Sequence, residues 1–130
     1  MANSASAGTT NLRPNTDDTV RRTVPRISSR FSLVSYEGII KYLSFAKSAI
    51  NNGDVENKFI YINKSIAIFD ELRNVLDFDG GEVAYYLDGL YLYQIETLFS
   101  AGVDDNINSI NQVIKVTQGL IDAWKEETGL

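Results

Sequence analysis

The chain contains no histidine and no cysteine. Without histidine the commonest general base and metal ligand near neutral pH is missing. Serine–histidine and cysteine–histidine nucleophile pairs are therefore excluded. So are the glutamate–histidine di-metal sites that helical bundles often carry. Without cysteine there is no disulfide framework and no thiol chemistry, which suits a cytoplasmic setting. Proline is scarce: Pro14 and Pro25 are the only two, so nothing after them interrupts a helix. No apolar run reaches the roughly 18 residues of a membrane span, so no membrane insertion is expected. The N-terminus also lacks the apolar stretch of a secretory signal.

Basic charge is short in the body of the chain. Residues 1–30 carry five arginines against Asp17 and Asp18, a balance of +3, whereas residues 31–130 balance at −8. An acidic body argues against nucleic-acid binding, which needs a basic surface. Residues 1–27 are rich in Ser, Thr, Asn and Arg and show no sustained periodicity. They read as a flexible N-terminal segment, leaving residues 28–130 as the folded domain.

What is present is apolar spacing of helical period. The stretch from Asp79 to Phe99 opens on Gly80 and Gly81, then places Glu82 where a first turn favours negative charge. Val83, Leu87, Leu90, Tyr91, Gln94, Ile95 and Leu98 follow on one face, the pattern of a helix with a buried side. A second apolar set, Tyr85, Leu92 and Phe99, recurs every seven residues, with Tyr86 and Tyr93 beside it. A helix that is apolar on two sides is either central in a bundle or offers one side to another molecule.

Three more helices read in the same way. The first spans Ser29 to Asn52, with Ser28 or Ser29 as cap; its stripes are Leu33, Tyr36, Ile40, Leu43, Ile50 and Phe31, Val34, Tyr42, Phe45, Ala49. Asn51-Asn52-Gly53-Asp54 marks a helix end followed by a new cap. The second spans Val55 to Asp77, with Val55, Phe59, Ile62, Ile66, Phe69, Leu72 and Leu76 facing the core, and Ile60, Ile68 and Val75 widening the arc. The fourth follows Ala101-Gly102, capped by Asp104, Asp105 or Asn106, with Ile107, Ile110, Ile114, Thr117, Ile121 and Trp124 inward. Four helices joined by short loops predict an all-α, antiparallel up-down four-helix bundle with a short N-terminal extension.

Chemistry is hard to find in it. The carboxylate groups Asp70-Glu71, Asp77-Asp79-Glu82 and Asp104-Asp105 sit at helix ends or on polar faces, where capping and solvation explain them. The segment DFDGGE lacks the spaced ligands and closing glutamate of a calcium loop, and Gly80-Gly81 lacks the strand context of a phosphate loop. No catalytic residue, cofactor or metal is expected. A groove edged by tyrosines accepts an amphipathic helix from a partner.

The chain resembles the FliS family of flagellin export chaperones. The resemblance runs through YEGIIKYLSFAKSAINNGD (Tyr36–Asp54), INKSIAIFDELRNVLD (Ile62–Asp77), GGEVAYYLDGLYLYQIETL (Gly80–Leu98) and the spacing from Val113 to Leu-Ile-Asp-Ala-Trp124. Two places depart from the family: residues 1–27 hold no tyrosine, where the family has a tyrosine-bearing segment, and Ser35 stands before Tyr36 where an apolar residue is usual. The resemblance implies a cytoplasmic chaperone that holds the disordered C-terminal segment of flagellin, blocks its premature polymerisation and keeps it fit for export. It also admits a co-chaperone and components of the export gate as partners. The residues expected to bind the client are Ile60, Ile68, Tyr85, Leu92, Tyr93 and Phe99. The alternative is a helical interaction module that dimerises through the same faces and has no export client.

Overall fold

The computed structural model of the protein describes residues 30–129. The expected capping serines, Ser28 and Ser29, and the segment 1–27 lie outside these described residues. Within them the chain forms α1 (Arg30–Asn51), α2 (Val55–Asn74), α3 (Glu82–Asp104) and α4 (Ile107–Thr128), with a short 3-10 turn at Phe78–Gly80 between α2 and α3. Neighbours in sequence are neighbours in space, and α4 closes the ring against α1. The result is the all-α up-down bundle that the apolar spacing predicts.

The turns follow from local chemistry. Gly53 takes φ 68°, a left-handed conformation that suits glycine. The Asp54 carboxylate then accepts from the Asn57 backbone N–H at 3.1 Å and caps α2. Asn106 does the same for α4 through the Ser109 N–H. The helix-three stop differs from expectation. Gly102 does not end α3; it is buried inside it. A β-carbon there would meet Ile62 Cδ1 and Phe59 Cε1, each at 3.2 Å, so the glycine lets α2 approach closely. The chain turns instead at Asp105, with φ 53°.

The core repeats at alternating three- and four-residue steps. In α2 the buried positions are Lys58, Ile62, Ser65, Phe69 and Leu72; in α4 they are Ile110, Val113, Thr117, Ile121 and Trp124. Such spacing keeps one stripe of each helix facing the bundle axis. Val55 and Phe59, expected inward, are exposed, because Lys58 occupies the inward position at the start of α2. On α1 the small side chains Ser32, Ser35, Ala46 and Ala49 are buried around Tyr36, Ile39 and Leu43. Ser35 thus sits inside, where close helix packing tolerates a small residue.

At the centre of the bundle the hydroxyls of Tyr36 (α1) and Tyr91 (α3) share a buried hydrogen bond of 2.7 Å. Burial raises both phenols above their ordinary pKa of 10.0, so both stay neutral at physiological pH.

Candidate functional site

The inward face of α3 is Ala84, Leu87, Tyr91, Gln94, Ile95, Leu98, Ala101 and Gly102. At about 100° per residue, the opposite face carries Tyr85, Tyr86, Leu92, Tyr93, Phe99 and Val103. All six are exposed, with Tyr85, Tyr86 and Tyr93 at 66%, 68% and 65%. From Tyr85 to Val103 this crest is roughly 27 Å long, at 1.5 Å per residue. At its N-terminal end it is extended by Phe78, whose ring lies 4.8 Å from that of Tyr85. The expected second apolar stripe on this helix is therefore a surface and not part of the core.

Two ion pairs pin the helix that carries the crest. Near its start, Arg73 Nε donates to Asp88 Oδ1 at 2.9 Å. That bond raises the guanidinium above its ordinary pKa. At the far end Lys58 Nζ, almost fully buried, donates to Asp105 Oδ1 at 2.6 Å. Between these clamps runs the α2–α3 seam. Leu92 and Phe99 lie four and eleven residues after Asp88, on its side of α3; Phe59 and Ile66 lie fourteen and seven before Arg73, on its side of α2. Phe59 also touches the position of Gly102. Leu92, Phe99 and Phe59 are exposed along this furrow, whereas Tyr86 and Tyr93 lean toward the α4 side of the crest.

Of the six residues expected from sequence, four share this crest: Tyr85, Leu92, Tyr93 and Phe99. The other two lie elsewhere. Ile68 is half-buried and faces α1, its Cδ1 3.5 Å from where a β-carbon on Gly38 would sit. Ile60 is exposed, two residues or about 200° around α2 from the buried Ile62. Neither faces α3. Tyr86, expected beside this stripe but not among the client-binding residues, lies on the crest, and Val103, Phe78 and Phe59 join the crest and its furrow without having been expected to. Tyr86 was legible from the seven-residue interval it shares with Tyr93, and Val103 from lying one turn beyond Phe99; Phe59 was not, because it continues the inward stripe of α2 on paper.

A second aromatic group marks the α1–α2 seam. Tyr61 stacks on Tyr42 at 5.9 Å and meets Phe45 at 5.1 Å, and Lys64 lies 5.6 Å above the Tyr42 ring. Tyr42 and Tyr61 are half-buried, and Phe45 is exposed. A cleft of about 190 Å³ lies beside them, lined by Phe45, Ser48, Asn52, Asp54, Asn57 and Tyr61. A shallow groove of about 390 Å³ between α1 and α4 has charged lips, Glu37, Lys41 and Lys125, over Ile40 and Ile121. Among the described residues no cluster of carboxylates could hold a metal ion, and no helix is long and apolar enough to cross a membrane.

Residues 28–128 match the family model of the flagellar protein FliS. The flagellar secretion chaperone FliS of Campylobacter jejuni is 48% identical over 92 residues, covering 70% of this chain and 72% of that protein. The flagellar secretion chaperone FliSB of Pseudomonas aeruginosa is 32% identical over 89 residues, 68% of this chain and 71% of its own. FliS of Salmonella typhimurium is 32% identical over 93 residues, with 70% and 69% covered. The match to the family model takes in all four helices and the crest.

Proposed function

The chain belongs to the FliS family, and from that premise we propose that it is a cytoplasmic, non-catalytic export chaperone that holds the disordered C-terminal segment of flagellin against the α3 crest. One observation supports this reading above the others: a helix pinned near both ends whose outward face exposes large aromatic and aliphatic side chains from Tyr85 to Val103. A monomer gains nothing by exposing such a face, and exposed apolar patches of this extent mark interaction sites. A disordered segment laid along it buries apolar surface and can fold into helix on docking, at an ordering cost of a few kcal/mol. Tyrosines suit a surface that must be wet when empty and dry when covered. Handing the segment on to the export gate requires no nucleotide; a co-chaperone has room on the α1–α4 side.

Calorimetry with a flagellin C-terminal peptide tests the proposal. Binding in the micromolar range or tighter is expected. Tyr93→Ala and Leu92→Ala should each weaken it about tenfold, the scale of truncating a central interface residue, about 1.4 kcal/mol. Absence of heat at tens of micromolar peptide would sink the flagellin assignment.

A further inference from the structure

We propose that the crest selects a partner segment that is basic as well as apolar, with Glu96 as the charge that reads it. The inference rests on the crest being the face that holds a partner. It begins with an absence: between Arg73 and Lys115 the chain contains no lysine or arginine, but seven carboxylates, Asp77, Asp79, Glu82, Asp88, Glu96, Asp104 and Asp105. That stretch includes the whole of α3. Glu96 is exposed in the middle of the crest, within one helical turn of Leu92, Tyr93 and Phe99 and one further turn from Val103. Glu82 and Asp104 mark its two ends.

The cations of α2 are already engaged. Lys58 is committed to Asp105. Arg73 is committed to Asp88 and Asp70. Lys64 sits over the Tyr42 ring, on the α1 side of α2. A partner covering the crest would therefore lower water's screening around Glu96, which makes no ion pair among the described residues. A lysine or arginine beside the partner's apolar residues supplies that answer, and its alkyl stem lies on the neighbouring rings while its head reaches the carboxylate. An acidic segment of equal apolar content would be repelled. A second copy of this chain is disfavoured for the same reason, because its own crest would bring carboxylates to carboxylates.

The test uses the full chain and two synthetic amphipathic peptides of identical apolar face, one with lysine and one with glutamate at every polar position. Calorimetry at 50 and 300 mM salt should show the lysine peptide at least tenfold tighter at low salt, with the gap narrowing at high salt as screening shortens to within about 10 Å. Glu96→Gln should weaken the lysine peptide two- to fivefold, the range of an exposed ion pair, leave the glutamate peptide no weaker, and leave the urea midpoint unchanged. Equal affinities, a preference indifferent to salt, no effect of Glu96→Gln, or binding of neither peptide would each overturn the inference. Flagellin C-terminal peptide is titrated alongside. Flagellin binding without salt dependence removes the charge reading and leaves the chaperone reading intact. A lysine preference without flagellin binding does the reverse.

Discussion

The buried pair of tyrosines offers the sharpest test of how the bundle is held together. Tyr36 and Tyr91 are each 1% exposed, and their hydroxyls are 2.7 Å apart. Tyr36→Phe removes one partner and strands the Tyr91 hydroxyl among apolar side chains, at a cost of about 1–3 kcal/mol. Tyr91→Phe should cost about the same. Removing both hydroxyls leaves two rings of unchanged shape and nothing stranded, which is close to neutral. The double variant is therefore expected to be more stable than either single one. Thermal melts followed by far-ultraviolet circular dichroism read this directly, because 1 kcal/mol moves Tm by about 4–8 °C in a domain of this size. The same pair sets an alkaline limit. Burial raises both phenols above 10.0 in the folded chain, whereas the unfolded chain releases those protons near that pH. Below pH 10 the pair's contribution is constant. Above it the unfolded state binds fewer protons than the folded one, so stability falls as pH rises. The slope is about 1.4 kcal/mol per pH unit for each phenol. The double phenylalanine variant should lose this part of the alkaline decline. Single variants within about 0.3 kcal/mol of the parent, or a double variant as unstable as the two singles added, would refute the stranded-hydroxyl reasoning.

Other substitutions probe other parts of the molecule. Gly89→Ala and Gly119→Ala place a β-carbon where nothing lies within 4 Å, in helix interiors; each should add about 0.5–1 kcal/mol in urea denaturation. Gly102→Val should instead destabilise by about 1–3 kcal/mol, because Ile62 and Phe59 already lie 3.2 Å from a β-carbon there. Asp105→Asn keeps a residue that tolerates the left-handed turn but strips the charge from the buried Lys58 ammonium. A loss of about 1–3 kcal/mol is expected, and adding Lys58→Met should recover most of it, since an apolar side chain needs no partner. Tyr85→Ala, on the exposed crest, should leave the melt within about 0.5 kcal/mol of the parent while weakening the flagellin peptide in calorimetry; a large loss of stability would assign the ring to the fold instead.

The helices were legible from particular residues. Leu87, Tyr91, Ile95 and Leu98 share one side of α3 under a 3.6-residue period, and they are inside. Asp54 and Asn106 are short oxygen-bearing side chains before apolar runs, and they cap α2 and α4. What periodicity leaves open is how wide an arc each helix buries, because that depends on the neighbour's side-chain volume. Phe59 was expected inside by spacing, yet Lys58 takes the inward place and reaches Asp105 through the end of the bundle. Gly102 has the appearance of a stop but serves as a point of contact. Ile60 and Ile68 belong to the same widened arc as Val75 on paper; only the placement of α1 against α2 shows that Ile68 covers Gly38 and looks away from α3. The crest was half legible for a related reason. The heptad recurrence of Tyr85, Leu92 and Phe99 announces a second apolar face but not whether a neighbouring helix fills it.

The comparison of α3 with α4 shows why recognition can be changed here without changing the fold. Both helices bury one stripe against the same core. Outward, α4 presents Asn111, Gln112, Lys115, Gln118 and Asp122, all exposed and polar. At the equivalent outward positions α3 presents tyrosine, leucine and phenylalanine. Since α4 packs with a polar back, the packing of a helix in this bundle does not require an apolar one. The outward residues of α3 are thus free of a folding role, and the folded chain retains their hydration cost as a standing drive toward a covering partner. The Arg73–Asp88 and Lys58–Asp105 pairs hold the underlying helix at both ends, so that drive is met by docking from outside and not by the helix rolling its apolar side inward.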